Sequence, residues 1–174
     1  VVDIGPSNDT TFVFVQNLTK YYNGSEKFTV TVTDGKGQLT PNKTVKITIN
    51  GVTYSRTTDE NGTTKLNINL NSGEYPVIVV VDDIVVNSSV FIESTIDSSD
   101  VDRIFGDIEN YYYSTTFFDA NGNRLEYAPV LFNINGVIYN NITDEEGIYI
   151  LYFNLLPGDY IVTATNTVTG EMKS

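Results

Sequence analysis

The residues best suited to chemistry in this sequence are carboxylates grouped in short turns. Asp59–Gly62 (DENG) and Asp119–Asn123 (DANGN) alternate acidic and amide side chains, as the oxygen ligands of a calcium loop do. A calcium loop also needs a distant bidentate carboxylate, and neither turn has one in that frame, so solvated β-turns are favoured. A denser acidic cluster is the better calcium candidate, and calcium there would stiffen a junction. Its members are Asp97, Asp100, Asp102 and Asp107.

The composition excludes the commonest catalytic devices. The 174 residues include no histidine and no cysteine, so no Ser-His-Asp triad, Cys-His pair, disulfide or thiolate metal site can form. Every carboxylate is expected in a turn or on a polar face, where burial would not raise its pKa for acid catalysis. We therefore predict no catalytic activity. The net charge of −12 also argues against binding to nucleic acid or to anionic membranes.

Tyrosine is the other chemically useful residue, with four copies in residues 1–97 and eight in 98–174. Tyr75 and Tyr160 each follow a Gly-acid pair at the start of a predicted strand, which is typical of a tyrosine corner. An exposed group in the second half could stack on a sugar or contact a protein, although ordinary pairing on a sheet surface is favoured. The ligand-binding candidates are Tyr111, Tyr113 and Tyr127.

Seven asparagines head an N-x-Ser/Thr sequon, about twice the number expected by chance in so Asn- and Thr-rich a chain. In a glycosylating cell, several of them would carry glycan on turns and exposed faces. The candidate acceptors are Asn8, Asn17, Asn23, Asn42, Asn61, Asn87 and Asn141.

A long internal duplication sets the domain organisation. Ile49–Gly62 (INGVTYSRTTDENG) returns as Ile134–Gly147 (INGVIYNNITDEEG) at an offset of 85 residues. The alignment extends without a gap from 28–81 onto 113–166, with about a third of the positions identical. A period of 85 residues is too long for a solenoid repeat and long enough for a small module. We expect two domains, 1–96 and 97–174. Either the last strand of the second domain is shorter than that of the first, or the sequence stops inside it.

Alternation at a period of two residues predicts β-strands throughout and no significant helix. Strands are expected near 11–16, 27–33, 43–50, 52–58, 63–70, 74–81 and 84–92, and near 101–105, 112–118, 128–135, 137–142, 148–154 and 159–166. Short strands at this spacing predict an all-β fold with two tandem, antiparallel, Greek-key Ig-like β-sandwiches. Structural roles in turns and corners are expected for Asn50, Gly51, Gly62, Gly73, Tyr75, Asn135, Gly136, Gly147, Gly158 and Tyr160.

The strings VTVTDGKGQ, KTVKITINGVTYSRTTDENGTTKLNINLNSGEY and FNINGVIYNNITDEEG resemble the tandem Ig-like repeats of adhesin-like surface proteins from methanogenic archaea. The first repeat follows that pattern nearly throughout from Thr19, whereas the second diverges, for example at Asn140-Asn141. The resemblance implies a large, exported, wall-attached protein whose modules present or space adhesive surfaces. Its partners would be an unidentified glycan or protein on another cell surface and further repeats of the same chain. An alternative is a carbohydrate- or protein-binding module that uses the tyrosines of the second repeat.

The pattern is also loosely similar to the collagen-binding type B domains of bacterial pili, which carry an internal Lys–Asn isopeptide bond. The positions that would hold the lysine are Val32 and Phe117, and those of the catalytic acid are Val79 and Ala164. That bond is therefore not expected by this route, and a cross-link of another arrangement stays open.

Overall fold

The computed structural model describes residues 10–102, 112–152 and 155–174, and these residues form strands and turns without a helix. No helix that could span a membrane is found among them. The strands are β1 (Thr11–Val15), β2 (Leu18–Tyr21), β3 (Lys27–Asp34), β4 (Thr44–Ile49), β5 (Val52–Thr57), β6 (Thr63–Asn67), β7 (Gly73–Val81), β8 (Ile84–Glu93), β9 (Ile96–Asp97), β10 (Tyr112–Phe117), β11 (Pro129–Ile134), β12 (Val137–Ile142), β13 (Ile148–Tyr152), β14 (Val162–Asn166) and β15 (Met172–Lys173).

The chain divides into two compact units. Unit 1 comprises the described residues of Val1–Lys20 and Ser25–Ile92, and unit 2 comprises those of Tyr21–Gly24 and Glu93–Ser174. The division falls a few residues before the boundary expected after residue 96, and it assigns the short segment after β2 to unit 2.

Unit 1 is a sandwich of a three-stranded sheet, β1-β3-β6, and a five-stranded sheet, β2-β8-β7-β4-β5. Alternate residues of both sheets are buried, as in Val30 and Val32 of β3 and Ile47 and Ile49 of β4. The alternate positions between them carry threonine and lysine. This is the pattern of sheets with one face in the core and one in water.

Unit 2 is also a sandwich, built from sheets β13-β10-β9 and β12-β11-β14-β15. Its core has the rings of Phe117 and Phe132 where unit 1 has the aliphatic Val32 and Ile47. The Phe132 ring of β11 meets Phe117 and Tyr113 of β10 edge-on, with centroids 5.9 and 6.4 Å away. These rings come from opposite sheets, so their packing closes the sandwich. The prediction of an all-β sandwich fold is confirmed.

The strands of the two units repeat at the same 85-residue offset as the sequence. β4, β5 and β6 coincide in register with β11, β12 and β13, and the chain crosses between sheets at the same places, as in a Greek-key sandwich. The Asn-Gly pairs between the paired strands have left-handed backbones, with φ of 49° and 75° at Asn50 and Gly51 and of 50° and 85° at Asn135 and Gly136. These values are those of the two-residue turn that fixes hairpin register.

Three short strands differ from the sequence-based expectation. β2, β9 and β15 are two to four residues long and were not predicted. β9 lies within the polar stretch Glu93–Asp102, yet Thr95 and Ile96 are fully buried in unit 2. A strand of two residues is too short to show alternation in the sequence, so it is identified only by its tertiary contacts. The strand expected near 101–105 lies mostly outside the described residues.

A buried threonine fastens the corner between two strands in each unit. The Thr58 hydroxyl accepts the Lys43 N–H at 2.9 Å and donates to the Thr40 carbonyl at 2.8 Å. Thr143 repeats this arrangement, accepting from the Ala128 N–H at 2.9 Å and donating to the Leu125 carbonyl. Each hydroxyl thus satisfies one donor and one acceptor of the segment that leads into β4 or β11.

Replacement of Thr115 by valine should stabilise unit 2. Thr115 is fully buried in β10, and its hydroxyl is a buried polar atom without a hydrogen-bond partner among the described residues. The equivalent position 85 residues earlier is Val30, also fully buried. Because an unsatisfied buried hydroxyl costs about 1–3 kcal/mol, Thr115→Val should raise the free energy of unfolding in urea by that amount. The reciprocal variant Val30→Thr should lower it in unit 1, and an unchanged midpoint in both variants would contradict the assignment.

Candidate functional site

The carboxylates of the acidic turns accept hydrogen bonds from the backbone of the same turns. Oδ1 of Asp119 accepts the N–H groups of Asn121 and Asn123, each at 2.8 Å. Asp144 accepts those of Glu146 and Ile148, at 2.9 and 2.8 Å. Asp34 and Asp59 in unit 1 make the same pairs of bonds. These are Asx turns, in which the side chain mimics a turn of backbone.

Two of the surface carboxylates have pKa values below the ordinary aspartate value. A hydrogen bond from the Asn123 side chain, at 3.0 Å, is the main cause for Asp119, and the backbone N–H bonds of the turn add to it. For Asp82 the main cause of the lowered pKa is the hydrogen bond from Lys43, with a nitrogen–oxygen distance of 2.7 Å. Neither carboxylate is arranged as a proton donor.

The acidic residues proposed for calcium do not form a compact set of ligands in the described part of the chain. Asp97 is exposed in β9, where it pairs with Thr116, and Asp100 and Asp102 are exposed in the segment that follows. Asp107 lies outside the described residues. Among residues 10–102, 112–152 and 155–174, no group of three or more acidic, histidine or cysteine side chains is placed to hold a metal ion.

The three ligand-binding tyrosine candidates are not brought together. Tyr113 is only 7% exposed and belongs to the core of unit 2, because the inward positions of β10 are 113, 115 and 117. The prediction that Tyr113 lies on the surface is therefore wrong. Tyr127 is 65% exposed and has a left-handed backbone, with φ of 50°. Tyr111 lies outside the described residues.

The two corner tyrosines bond to nearby backbone. The Tyr75 hydroxyl donates to the Asn71 carbonyl and the Tyr160 hydroxyl to the Leu156 carbonyl, both at 2.9 Å. Gly73 and Gly158 lie beside these rings, with the positions of an added Cβ 3.7 and 3.5 Å from the nearest ring atoms.

The sequon asparagines are mostly accessible. Asn17, Asn23, Asn42, Asn61 and Asn87 are exposed, and Asn141 is half-buried in β12. Asn17 differs from the others in that its side-chain oxygen accepts hydrogen bonds from Ser88 and Ser89. Asn8 lies outside the described residues.

Two shallow depressions lie in the described part of the chain. One in unit 1, of about 270 Å³, is lined by Ile49–Asn50, Val52, Tyr54 and Asn67–Leu70. One in unit 2, of about 200 Å³, is lined by Asp100–Val101, Tyr113, Tyr160–Val162 and Ser174. Both are smaller than the roughly 300–1,000 Å³ of small-molecule sites.

A buried polar cluster in unit 2 was not anticipated from the sequence. Glu171 is 3% exposed, and its carboxylate accepts the backbone N–H of Thr95 at 2.6 Å and the Thr95 hydroxyl at 2.7 Å. The expectation that every carboxylate lies in a turn or on a polar face is therefore wrong at this residue. Asn166 completes the cluster, donating to the carbonyls of Thr95 and Phe118. The only sequence signal is Asn166 itself, a polar residue at the position where unit 1 has Val81.

Lys20 is a second buried charge that the sequence did not indicate. Its ammonium group donates to the Ile68 carbonyl at 3.0 Å. Burial lowers the pKa of Lys20, and the nearby charge of Glu26 acts in the opposite direction. Both buried charges bond to backbone that local periodicity cannot identify, because the partners are 48 and 76 residues away in the chain.

Comparison with known proteins gives one family match, to the macroglobulin domain MG4, over residues 25–93. That range contains β3–β8 of unit 1. No curated protein matches the chain. Among solved structures, a calcium-stabilised ice-binding adhesin of an Antarctic bacterium is 18% identical, with 97% of this chain and 47% of that one covered and a TM-score of 0.31.

Two further solved structures show the range of the similarity. Invasin, a bacterial integrin-binding protein, is 20% identical over 94% of this chain and 38% of its own, with a TM-score of 0.41. The tandem Ig domains of titin are 12% identical over 92% of both chains, with a TM-score of 0.36. The chain spans less than half the length of the adhesin and invasin structures. At these scores the similarities carry no argument about activity, and the sandwich fold follows from the strand pairings and buried faces above.

Removal of the Asp119 charge should make the stability of the protein depend less on pH in the acid range. The folded-state pKa of Asp119 lies below its unfolded value, so the unfolded chain binds more protons and stability rises with pH in that interval. The contribution is complete above about pH 4, the ordinary aspartate value, and is lost as pH falls through the folded pKa. Asp119→Asn should therefore reduce the slope of melting temperature against pH in the acid range.

A matched variant separates the two causes of the lowered pKa values. Asp82→Asn removes a contact with the charged Lys43, so its effect should shrink at high salt. The donors to Asp119 are neutral amides, and the effect of Asp119→Asn should persist at high salt. Equal salt sensitivity of both variants would contradict the hydrogen-bond assignment.

Proposed function

We propose that this chain is a pair of non-catalytic Ig-like modules, in tandem over 1–96 and 97–174, from a large extracellular adhesin-like protein. The modules space and present surfaces at the cell wall of a methanogenic archaeon. The residue patterns shared with adhesin-like repeats support this assignment, and so does the internal duplication at 85 residues.

The observation that carries the proposal is that acidic side chains form hydrogen bonds within the fold. Asp34, Asp59, Asp119 and Asp144 bond to their own turns, and Glu171 bonds to Thr95 in the interior. Each of these acids uses at least one carboxylate oxygen to hold the fold. Such a frame suits a spacer, which must keep its shape in repeated copies and needs no reactive centre.

The acidic and glycan-ready surface fits an array of such modules. A net charge of −12 makes neighbouring modules repel one another and keeps a crowded surface soluble. Exposed sequons such as Asn61 and Asn87 would add bulky, solvated groups on turns and sheet faces.

A second candidate function is recognition of a carbohydrate or protein by unit 2. The favouring observation is Tyr127, a large exposed aromatic in a left-handed conformation where unit 1 has Asn42, with φ of 60°. Asparagine tolerates this region, whereas tyrosine is strained there, and strain is concentrated at functional sites.

A binding assay distinguishes the two functions. The spacer role predicts that the wild-type protein binds no glycan on an array and no protein of a neighbouring cell surface. The recognition role predicts binding that Tyr127→Asn removes and that Asn42→Tyr, on unit 1, leaves unchanged. For the parent protein, further module copies with a signal peptide and a wall anchor are expected, and a catalytic domain beside these modules would contradict the spacer role.

Calcium at the acidic cluster is tested separately by thermal melting with and without a chelator. If Asp97, Asp100, Asp102 and Asp107 hold calcium between modules, chelation should lower the melting midpoint, and substitution of Asp97 and Asp100 by asparagine should remove that difference. An unchanged midpoint on chelation would eliminate the calcium proposal and leave the spacer role intact.

A further inference from the structure

Strands β10 and β13 form an outer face that is apolar in unit 2, where the corresponding strands β3 and β6 of unit 1 are polar. In unit 1 the exposed Phe12 and Phe14 lie on the neighbouring strand β1. Across β10 and β13 the outward pairs are Tyr112 with Tyr152, Ser114 with Ile150, and Thr116 with Ile148. The pairs at the equivalent positions of β3 and β6 are Lys27 with Asn67, Thr29 with Lys65, and Thr31 with Thr63. Two lysines, an asparagine and a threonine thus correspond to two tyrosines and two isoleucines.

These apolar side chains are accessible. Tyr152 is 72% exposed and Ile150 is 38% exposed, whereas Leu151 between them is buried in the core. The rings of Tyr112 and Tyr152 lie side by side, with centroids 6.2 Å apart. The sandwich does not need an apolar surface here, because unit 1 closes the same frame with lysine and threonine. Contiguous exposed apolar side chains of this kind mark interaction surfaces.

β13 is also an edge strand without the usual protection. It ends the sheet β13-β10-β9, so one side of its backbone is unpaired among the described strands. Its sequence, IYILY, contains no charge, proline or glycine, whereas β6 at the same position (TTKLN) carries Lys65. A lysine on an edge strand is a common device against pairing with another chain, and β13 lacks it.

Strand β12, which precedes β13, is also more apolar than its counterpart β5 in unit 1. β12 is the edge of the larger sheet, and its exposed Ile138 and Ile142 stand where β5 has Thr53 and Thr57. Arg56 of β5 corresponds to Asn141. The substitutions that distinguish the two copies therefore remove charge from both of these edge strands of unit 2.

We infer that β13 pairs antiparallel with β13 of a second copy of this chain. A two-fold axis through Ile150 would place that residue opposite itself and Ile148 of each copy opposite Tyr152 of the other, which are favourable cross-strand pairs. The lack of charge on β13 favours a second copy of this chain as the partner strand. A chain of net charge −12 repels its own copies, yet an uncharged edge opposes no like charges at the contact and offers nothing to a charged partner strand.

The contact is one strand wide, so the association is weak, as small interfaces are. It should strengthen when salt screens the repulsion between two acidic chains. This sign is opposite to that of a basic ligand, whose attraction to the chain would fall with salt.

The test is sedimentation equilibrium of the whole chain at increasing concentration, in low salt and in about 0.5 M NaCl. The wild type should dimerise, more strongly in high salt. Ile150→Lys installs the residue of unit 1 and would set two lysines directly opposite each other, so the association constant should fall at least about tenfold. Tyr152→Asn, at a more exposed position, should also weaken the dimer, and thermal melting checks that both variants fold.

The matched control is Phe14→Lys. Phe14 is 55% exposed on β1, which is an uncharged edge strand of unit 1 whose outward neighbours on β3 are threonines. This variant should dimerise as the wild type does.

Three results would overturn the inference. The first is a wild-type protein that stays monomeric up to about 1 mM in both salts. The second is a dimer that Phe14→Lys disrupts while Ile150→Lys and Tyr152→Asn do not, which would assign the contact to β1. The third is a monomer that binds a glycan through Tyr152, which would make the tyrosine pair a carbohydrate platform.

Discussion

The corner that joins the two sheets of each unit is the constraint on which the rest of the structure depends. Gly62 has φ of 61°, and a Cβ there would lie 2.6 Å from the Val32 carbonyl oxygen and 2.8 Å from the Thr40 nitrogen. No flexible side chain can relieve such a clash, because the obstructing atoms are backbone. The Thr58 hydroxyl and the Asp59 carboxylate bond to the segments on either side of this contact. Gly147, Thr143 and Asp144 repeat the corner in unit 2.

This constraint, with that of the hairpin, explains five of the nine identical positions in the duplicated fourteen-residue segment. The asparagine and glycine of the hairpin need left-handed backbone, the threonine needs a hydroxyl, the aspartate needs a carboxylate, and the last glycine needs to lack a side chain. The positions that differ, such as 53 and 138 or 57 and 142, point outward from an edge strand. The frame therefore dictates its corners and leaves the surface between them open to change.

The two cores show how much variation the same frame accepts. Val32 and Ile47 of unit 1 become Phe117 and Phe132 in unit 2, while Val79 becomes Ala164. Larger rings at two positions are partly offset by a smaller side chain at a third, as close packing requires. Thr115 and Glu171 are two of the buried polar residues of unit 2, and each lies where the sequence alternation is uninformative.

The sequence predicted the strands and turns well because both depend on neighbours within a few residues. Alternation identified β3, β4 and β6, and the Asn-Gly pairs placed the hairpins. The sequence could not decide which of Tyr111–Tyr113 faces the core, because a run of like residues has no alternation and a shift of one position inverts every side chain. It also could not reveal β9 or the Glu171 contact, whose partners lie far along the chain.

The two units share the polar contacts of their corners and differ in the chemistry of their exposed faces. Carboxylates bonded to their own turns and threonine hydroxyls bonded to carbonyls recur in both units, whereas the side chains on the outer faces of the sheets change from one unit to the other. Lys65 and Ile150 occupy the same place on the same frame, yet one is solvated and charged and the other is apolar on an open edge. The difference between them is therefore one of surface chemistry on a shared frame.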